Sequence, residues 1–203
     1  MSIRTNAQRK VLQTPMSALS ALHAPLGSPH RLVAEKFIHD IFASRYGANI
    51  PSFAPNLMVL ERNQTIIAAT GWRSAQTSKL YLEHYLDLPI EQAMAQLAHQ
   101  HVKRERIVEV GHLASQKAGG SVHIIRALAD HLSAQGFEWV VFTATQELIG
   151  IFAKLGLPLL ALTAANPARL RDEARHWGSY YDTQPIVVAG KIRLALQRMD
   201  ATA

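Results

Sequence analysis

A carboxylate inside an apolar run is the first feature of this sequence that could do chemistry. Residues 106–114 read RIVEVGHLA, and Glu109 stands between Val108 and Val110. Burying a lone charge costs roughly several kcal/mol, so such a carboxylate must reach a solvated cleft or pair with a cation. In a cleft, Glu109 could act as the general base that takes a proton from an incoming amine, directly or through water. A structural ion pair with an arginine is an equally good interpretation.

Glycines follow this carboxylate and suggest where a substrate would lie. Gly111 allows a β-bulge that re-aims the strand and frees a backbone N–H to polarise a thioester carbonyl. Gly119 and Gly120 let the backbone approach a ligand just before a helix predicted from Ser121, and a helix N-terminus attracts anions. An ordinary glycine turn between strand and helix is the alternative.

The same segment resembles a known phosphate-binding signature. Gln116-x-x-Gly119-x-Ser121 is similar to the pyrophosphate-binding pattern Gln/Arg-x-x-Gly-x-Gly/Ala of the GNAT acyltransferases, with Ser121 in the last small position. The resemblance implies that an acyl donor binds along this segment. The residues expected to hold the donor are Leu113, Ala114, Ser115, Gly119, Gly120 and Ser121.

A second polar group lies in LYLEHYLD. Glu83 and His84, close to Asp87, could bind an amine or exchange its proton, although a solvated loop or helix start explains them equally well. His99, His101 and His123 do not have the spacing of a common two-ligand helix motif, so no metal site is predicted.

Composition limits the classes of protein that fit. The chain has 203 residues, no cysteine and a net charge of +6, and its pI is near 9.8. The lack of cysteine excludes disulfides, thiolate metal sites and a cysteine nucleophile. No apolar run is long enough to span a bilayer, and Pro15 breaks the only stretch that could serve as a secretory signal. A basic surface favours polyanionic partners, namely nucleic acid, anionic lipid, a phosphorylated cofactor or an acidic carrier protein, unless it is only a solvated basic tail.

The element order predicts a mixed α/β sheet in a single domain. Residues 1–29 are predicted to be a basic irregular extension, and residues 30–203 the folded domain. The predicted order begins with a helix over 31–46 capped by Gly47, a β-hairpin that turns at Asn63-Gln64, and a helix after Pro89. A β-α-β-α-β unit follows from residue 106, then a helix that begins at Asn166-Pro167 and a final strand in PIVVAGKIRLAL. FEWVVFTA and LPLLALTAA are both typical of strands covered on two faces.

Over residues 30–192 the chain resembles the thermostable hemolysin family, a bacterial group related in pattern to GNAT acyltransferases and to acyl-homoserine lactone (autoinducer) synthases. The resemblance implies a GNAT-like mixed, mostly antiparallel central sheet flanked by helices. The segments that carry it are RYGANIPSFAPNLMVL, GWRSA, LYLEHYLDLPIE, IVEVGHLAS, WVVFTAT and WGSYYDTQPIVVAG.

The resemblance also implies roles for single residues. Arg73 of GWRSA is similar to the arginine that ends the sheet hairpin of the lactone synthases, and Glu109 to the glutamate of their corresponding strand. His112 and His84 depart from the relatives, in which a polar amide and Gln are expected. Phe152 stands where many GNAT enzymes have a tyrosine that acts as general acid, so Tyr180 or Tyr181 would have to supply that general acid.

Three functions follow from these observations. The first is a cytoplasmic N-acyltransferase with Glu109, Arg73, Glu83 and His84 at its active site, which takes an acyl group from acyl-CoA or acyl carrier protein and has no permanently bound cofactor. The second is a membrane-damaging protein, as the family name suggests, but no spanning segment or barrel-forming hairpin supports it; peripheral membrane contact stays open. The third is a nucleic-acid-binding module, which no recognised motif supports.

Overall fold

A seven-stranded sheet forms the centre of the computed structural model, which describes residues 19–116 and 118–201. The strand order is β1-β2-β3-β4-β5-β7-β6, and every neighbouring pair is antiparallel except β4 with β5. The strands are β1 Leu19–Pro25, β2 Asn56–Arg62, β3 Thr65–Ser74, β4 Ile107–Ser115, β5 Trp139–Ala144, β6 Leu160–Ala164 and β7 Ile186–Lys191.

Helices cover both faces of this sheet. The α-helices are α1 Arg31–Tyr46, α2 Ile90–Ala98, α3 Ala118–Ala134, α4 Gln146–Lys154 and α5 Ile192–Ala201. Three segments form 3-10 turns, Tyr81–Tyr85, Arg104–Arg106 and Pro167–Thr183. Helices α1 and α2 and the first and last 3-10 segments pack on one face, called here the α1 face. Helices α3, α4 and α5 pack on the other, the α3 face.

Several predicted elements are confirmed, and the residues predicted to begin or end them do so in the structure. Helix α1 spans Arg31–Tyr46 and ends at Gly47, whose φ of 64° is left-handed and suits glycine. Asn63 and Gln64 both have positive φ, which fits the tight turn of a twisted two-residue hairpin between β2 and β3. The Thr145 side chain accepts a hydrogen bond from Leu148 N and so begins α4.

The N-terminal extension differs from the prediction where it can be seen. Residues 19–25 are not irregular but form edge strand β1, paired with the whole of β2. This short segment shows little alternation of apolar and polar residues, so its sequence does not mark it as a strand. It becomes one because its N–H and C=O groups pair with those of β2. The basic residues of the extension that precede β1, Arg4, Arg9 and Lys10, lie outside the described residues.

Three other boundaries are corrected. The final strand stops at Lys191, and Ile192–Ala201 is a helix because residues 192, 195, 196 and 199 pack at helical spacing on the α3 face. Strand β6 is an edge strand with no fully buried residue, not a strand covered on two faces, since among the described strands β7 alone pairs with it. The segment after Asn166 is a 3-10 run with kinks at Arg171 and Gly178.

Candidate active site

Strands β4 and β5 separate in the middle of the sheet. Their parallel pairing covers only Ile107–Glu109 against Trp139–Val141, and no β4–β5 register pair follows it within the described residues. On its other side β4 is bulged, since Gly71 pairs with Gly111 and Ala69 with Ala114, which leaves His112 and Leu113 opposite Thr70. The predicted bulge is therefore confirmed, one residue beyond Gly111.

This separation opens a cavity of about 470 Å³ that is lined from both faces of the sheet. Its polar part lies on the α1 face and includes Arg73, Tyr81, Glu109, His112, Glu173 and Tyr181. Its apolar part lies on the α3 face and includes Ile125, Leu128, Ala129, Leu132, Phe142 and Phe152. A substrate with a polar head and an apolar tail fits such a cavity, because each end would find its own kind of surface.

Glu109 lies at the polar end and is held by three groups. Its side chain accepts hydrogen bonds from Tyr81 N at 2.9 Å and Leu82 N at 2.8 Å, and Arg73 Nε lies 3.3 Å from its Oε2 atom. Glu109 is only 8% exposed. Burial raises its pKa above the ordinary value, although the N–H of Tyr81, the charge of Arg73 and the N–H of Leu82 act in the opposite direction. Glu109 is thus paired with an arginine, as the ion-pair interpretation predicts. It also lines the cavity, which the general-base interpretation requires.

Glu83 is buried but does not line the cavity. It accepts hydrogen bonds from Leu80 N and Ile90 N at 2.8 and 2.9 Å, and Arg104 donates to both of its oxygens at 2.7 and 3.0 Å. Burial would raise the pKa of Glu83, but the Arg104 hydrogen bonds and the two backbone donors outweigh it and hold the pKa below the ordinary value. Glu83 therefore fixes the 3-10 segment Tyr81–Tyr85, which supplies the N–H groups that hold Glu109.

His84 also lies outside the cavity lining. Its ring donates from Nδ1 to Tyr81 O at 2.8 Å, and its own carbonyl accepts from Arg169 Nε at 2.9 Å. The structure thus brings Glu109 and Arg73 together but places Glu83 and His84 behind them, in the support of the segment.

The glycine pair has a different place from the one predicted. Helix α3 begins at Ala118, so Gly119 and Gly120 lie in its first turn instead of in a turn before it. A Cβ atom on Gly120 would lie 2.6 Å from Ser115 Oγ, whereas one on Gly119 would meet nothing within 4 Å. Gly120 thus lies where the start of α3 packs closely against β3 and β4. Of the residues predicted to hold the donor, Leu113, Ser115 and Ser121 line the cavity, while Ala114 is buried under α1.

Aromatic residues from the last 3-10 segment close the polar end. Trp177 donates from Nε1 to Tyr81 Oη at 3.0 Å, and the hydroxyls of Tyr181 and Tyr85 are 2.5 Å apart. Burial raises the pKa of Tyr181, so its phenol keeps its proton at neutral pH. Tyr180 Oη donates to Thr143 O at 3.4 Å. The sequence placed both tyrosines as candidate acids but gave no signal for Tyr81, Tyr85 or Glu173, since nothing local marks them as neighbours of Glu109.

The structure also bears on membrane-spanning helices and on metal binding. Within residues 19–116 and 118–201, no helix is both long and apolar enough to cross a membrane. The same part of the chain contains no group of three or more histidine, aspartate and glutamate side chains placed to hold a metal ion.

Comparison with known proteins agrees with this fold. The profile of the family described as "Thermostable hemolysin" matches residues 25–196. No curated protein matches the sequence. Among solved structures, the AHL synthase LasI is 13% identical with a TM-score of 0.60, covering 89% of this chain and 95% of its own.

Two further structures are similar to the same degree. FeeM, an N-acyl amino acid synthase from uncultured soil microbes, is 12% identical with a TM-score of 0.57, covering 89% of this chain and 96% of its own. BjaI, a CoA-dependent acyl-homoserine lactone synthase solved with SAM and isopentyl-CoA, is 13% identical with a TM-score of 0.56, covering 92% and 87%. At such identities the likeness concerns the fold, and the predicted GNAT-like architecture is confirmed.

Proposed function

We propose that this chain, which belongs to the thermostable hemolysin family, is a cytoplasmic N-acyltransferase. It would move an acyl group from acyl-CoA or acyl carrier protein to the amine of a small, amino-acid-like acceptor. The observation that carries the proposal is the position of Glu109: a buried carboxylate, held by Arg73 and two backbone N–H groups, borders a cavity that passes through the sheet from a polar to an apolar end.

The two ends of the cavity support different parts of the donor. The acyl chain would occupy the apolar part between α3 and β5, where contact with Leu128, Leu132 and Phe142 removes it from water. The pantetheine arm would leave past Leu113, Ser115 and Ser121 at the start of α3. The first N–H groups of α3 have no partner within the helix and suit the diphosphate of coenzyme A.

Direct attack is the chemistry that these residues favour. The acceptor nitrogen would attack the thioester carbonyl carbon, and Glu109 would take the proton that the nitrogen loses as the C–N bond forms. The C–S bond then breaks, and the departing thiolate takes a proton from the Tyr181 phenol or from water. No covalent enzyme intermediate is formed. Glu83 and His84 would act indirectly, since they hold the segment whose N–H groups orient Glu109.

Mass spectrometry of purified protein with acyl-CoA or acyl carrier protein donors and pooled amines tests the activity. We expect an amide product, and Glu109→Gln should lower its rate by about 10²–10⁴-fold, the range that a general base contributes. Glu105→Gln, at an exposed position near the start of β4, is the matched control and should leave the rate unchanged.

The results that would contradict the proposal are distinct. Unchanged turnover in Glu109→Gln removes this carboxylate from the mechanism. Absence of any amide from the wild-type protein contradicts the acyltransferase itself. Lysis of lipid vesicles by pure protein without any acyl donor would instead support the membrane-damaging alternative.

A further inference from the structure

His112 combines two unfavourable features that the mechanism above does not use. Its backbone φ is 55°, a left-handed conformation that a histidine adopts at a cost. Its Nδ1 atom is shielded from solvent and has no hydrogen-bond partner among the described residues. A buried polar atom without a partner also costs free energy. Two such costs at one residue that lines the cavity indicate a role in ligand binding rather than in stability.

The bulge in β4 decides which face of the sheet His112 occupies. Ile107 and Ala114 pack in the cores of the α1 face, whereas Val108 and Leu113 pack on the α3 face. Strict alternation along β4 would send residue 112 to the face of Val108. Because the bulge adds one residue, His112 lies instead on the α1 face, where its ring contacts aromatic groups of that face, Phe42, Phe53 and Trp177.

The ring is held in place and kept uncharged. It stacks on Trp177 with an angle of 16° between the planes and 6.3 Å between the ring centres. Burial, together with the positive charges of Arg73 and Arg31, lowers the pKa of His112 to about 4. A neutral imidazole has one bare nitrogen, which accepts a hydrogen bond, so the ring offers an acceptor in the cavity that Arg73 and Glu109 also line.

We propose that His112 is the residue that binds the acceptor amine, by accepting a hydrogen bond from its N–H group through Nδ1. This inference rests on the proposed function and adds the half of the site that the acceptor occupies. The donor enters along α3 on the opposite face, so an amine on the α1 face meets the thioester in the gap between β4 and β5.

The reaction needs the uncharged form of the amine. A neutral amine donates one N–H to Nδ1 and keeps its lone pair for the thioester carbon, whereas an ammonium ion has no lone pair with which to attack. The proton released on attack goes to Glu109. His112 thus orients the nucleophile, and Glu109 receives its proton.

Three variants test the proposal with octanoyl-CoA as donor and glycine, glycinamide and ethanolamine as acceptors. His112→Phe keeps a ring against Trp177 but removes the nitrogens, and we expect its acceptor KM to rise at least about tenfold, the loss of one good hydrogen bond. Its donor KM should stay within about twofold, since the donor does not contact the ring. His112→Asn tolerates a left-handed backbone and returns a polar atom near the Nδ1 position, so its acceptor KM should stay within about threefold of wild type.

His99→Phe is the matched control for the backbone. His99 also has a positive φ, of 49°, but is exposed at the end of α2 and does not line the cavity. It should leave both KM values unchanged. An unchanged acceptor KM in His112→Phe, or an equal rise of donor and acceptor KM, would overturn the assignment. A wild-type protein that forms no amide with any donor contradicts the proposed function itself, whereas a working wild type with an unaffected His112→Phe contradicts only the role of His112.

Discussion

Arg73 and Glu109 face each other as register partners in β3 and β4, and Arg73 Nε lies 3.3 Å from Glu109 Oε2. The arginine opposes the effect of burial on the carboxyl, since a nearby cation favours the ionised form. It therefore keeps Glu109 closer to the charged state that a general base requires. The pair is one unit, in which the arginine sets the pH range over which the carboxylate can work.

Arg73→Met should move the acid limb of the pH–rate profile to higher pH. Burial already raises the pKa of Glu109 above its ordinary value of 4.5, and removal of the cation raises it further. Because the base must be deprotonated, activity rises as pH increases through this pKa, so the limb should shift upward by roughly one pH unit. The measurement is kcat/KM for amide formation against pH. A lower plateau with an unshifted limb would show that Arg73 acts only through packing, and Arg62→Met at an exposed position of β2 is the control.

Glu83→Gln should destabilise the protein without touching the cavity. The change breaks a buried pair with Arg104 and leaves the cation poorly matched, which costs about 2–4 kcal/mol of unfolding free energy at neutral pH. Since the pKa of Glu83 is lowered in the folded state, its contribution is present above the unfolded pKa and is lost as pH falls through the folded value. The difference between wild type and variant should therefore shrink toward pH 3, as urea unfolding at several pH values would show.

Glu91→Gln is the matched control for this prediction. Glu91 contacts the same Arg104 Nη1 atom at 2.7 Å, but its side chain is 25% exposed and accepts no backbone hydrogen bond among the described residues. We expect a loss of at most about 1 kcal/mol. Equal losses in the two variants would mean that the backbone bonds of Glu83 contribute nothing.

The two adjacent glycines should respond in opposite directions to alanine. Gly119→Ala places a Cβ atom in open space inside a helix, so stability should rise by up to about 1 kcal/mol. Gly120→Ala places a Cβ atom 2.6 Å from Ser115 Oγ, so the Ser115 hydroxyl must rotate away from the start of α3, and the change should cost about 1 kcal/mol of unfolding free energy. Thermal unfolding of both variants decides the matter. Equal behaviour would show that the helix start is not tightly packed.

Ala129→Leu should shorten the acyl chains that the protein accepts. Ala129 lines the apolar part of the cavity from α3, and a larger side chain there fills space that the end of a long chain would occupy. The turnover ratio of dodecanoyl-CoA to butyryl-CoA should fall about tenfold or more, the effect of one to two methylene groups excluded from an apolar pocket. Ala134→Leu, exposed at the end of the same helix, should leave the ratio unchanged. A uniform loss for all chain lengths would place the acyl chain elsewhere.

The sequence predicts an element correctly where the residues that cause it lie close together in the chain. Helix α1, the turn at Asn63-Gln64 and the cap at Thr145 depend on residues within one turn of each other, and all three are confirmed. The sequence does not predict strand β1, because its partner β2 lies more than thirty residues away. The sequence pattern extends the final strand over residues 192–196, which begin helix α5 in the structure, because their apolar residues fit both periods over a short window. Packing against the α3 face decides between them.

The sequence by itself determined the mixed α/β fold, the family resemblance and the choice of Glu109 and Arg73 as candidate site residues, because each depends on residue types in a fixed order. Only the tertiary structure decided that Glu83 pairs with Arg104, that Trp177 and Tyr181 close the polar end of the cavity, and that His112 lies on the α1 face against Trp177. The bulge adds one residue to β4, and this reverses the face of the sheet to which the His112 side chain points. The position of the bulge depends on the register between β3 and β4, which is set by contacts between residues distant in sequence.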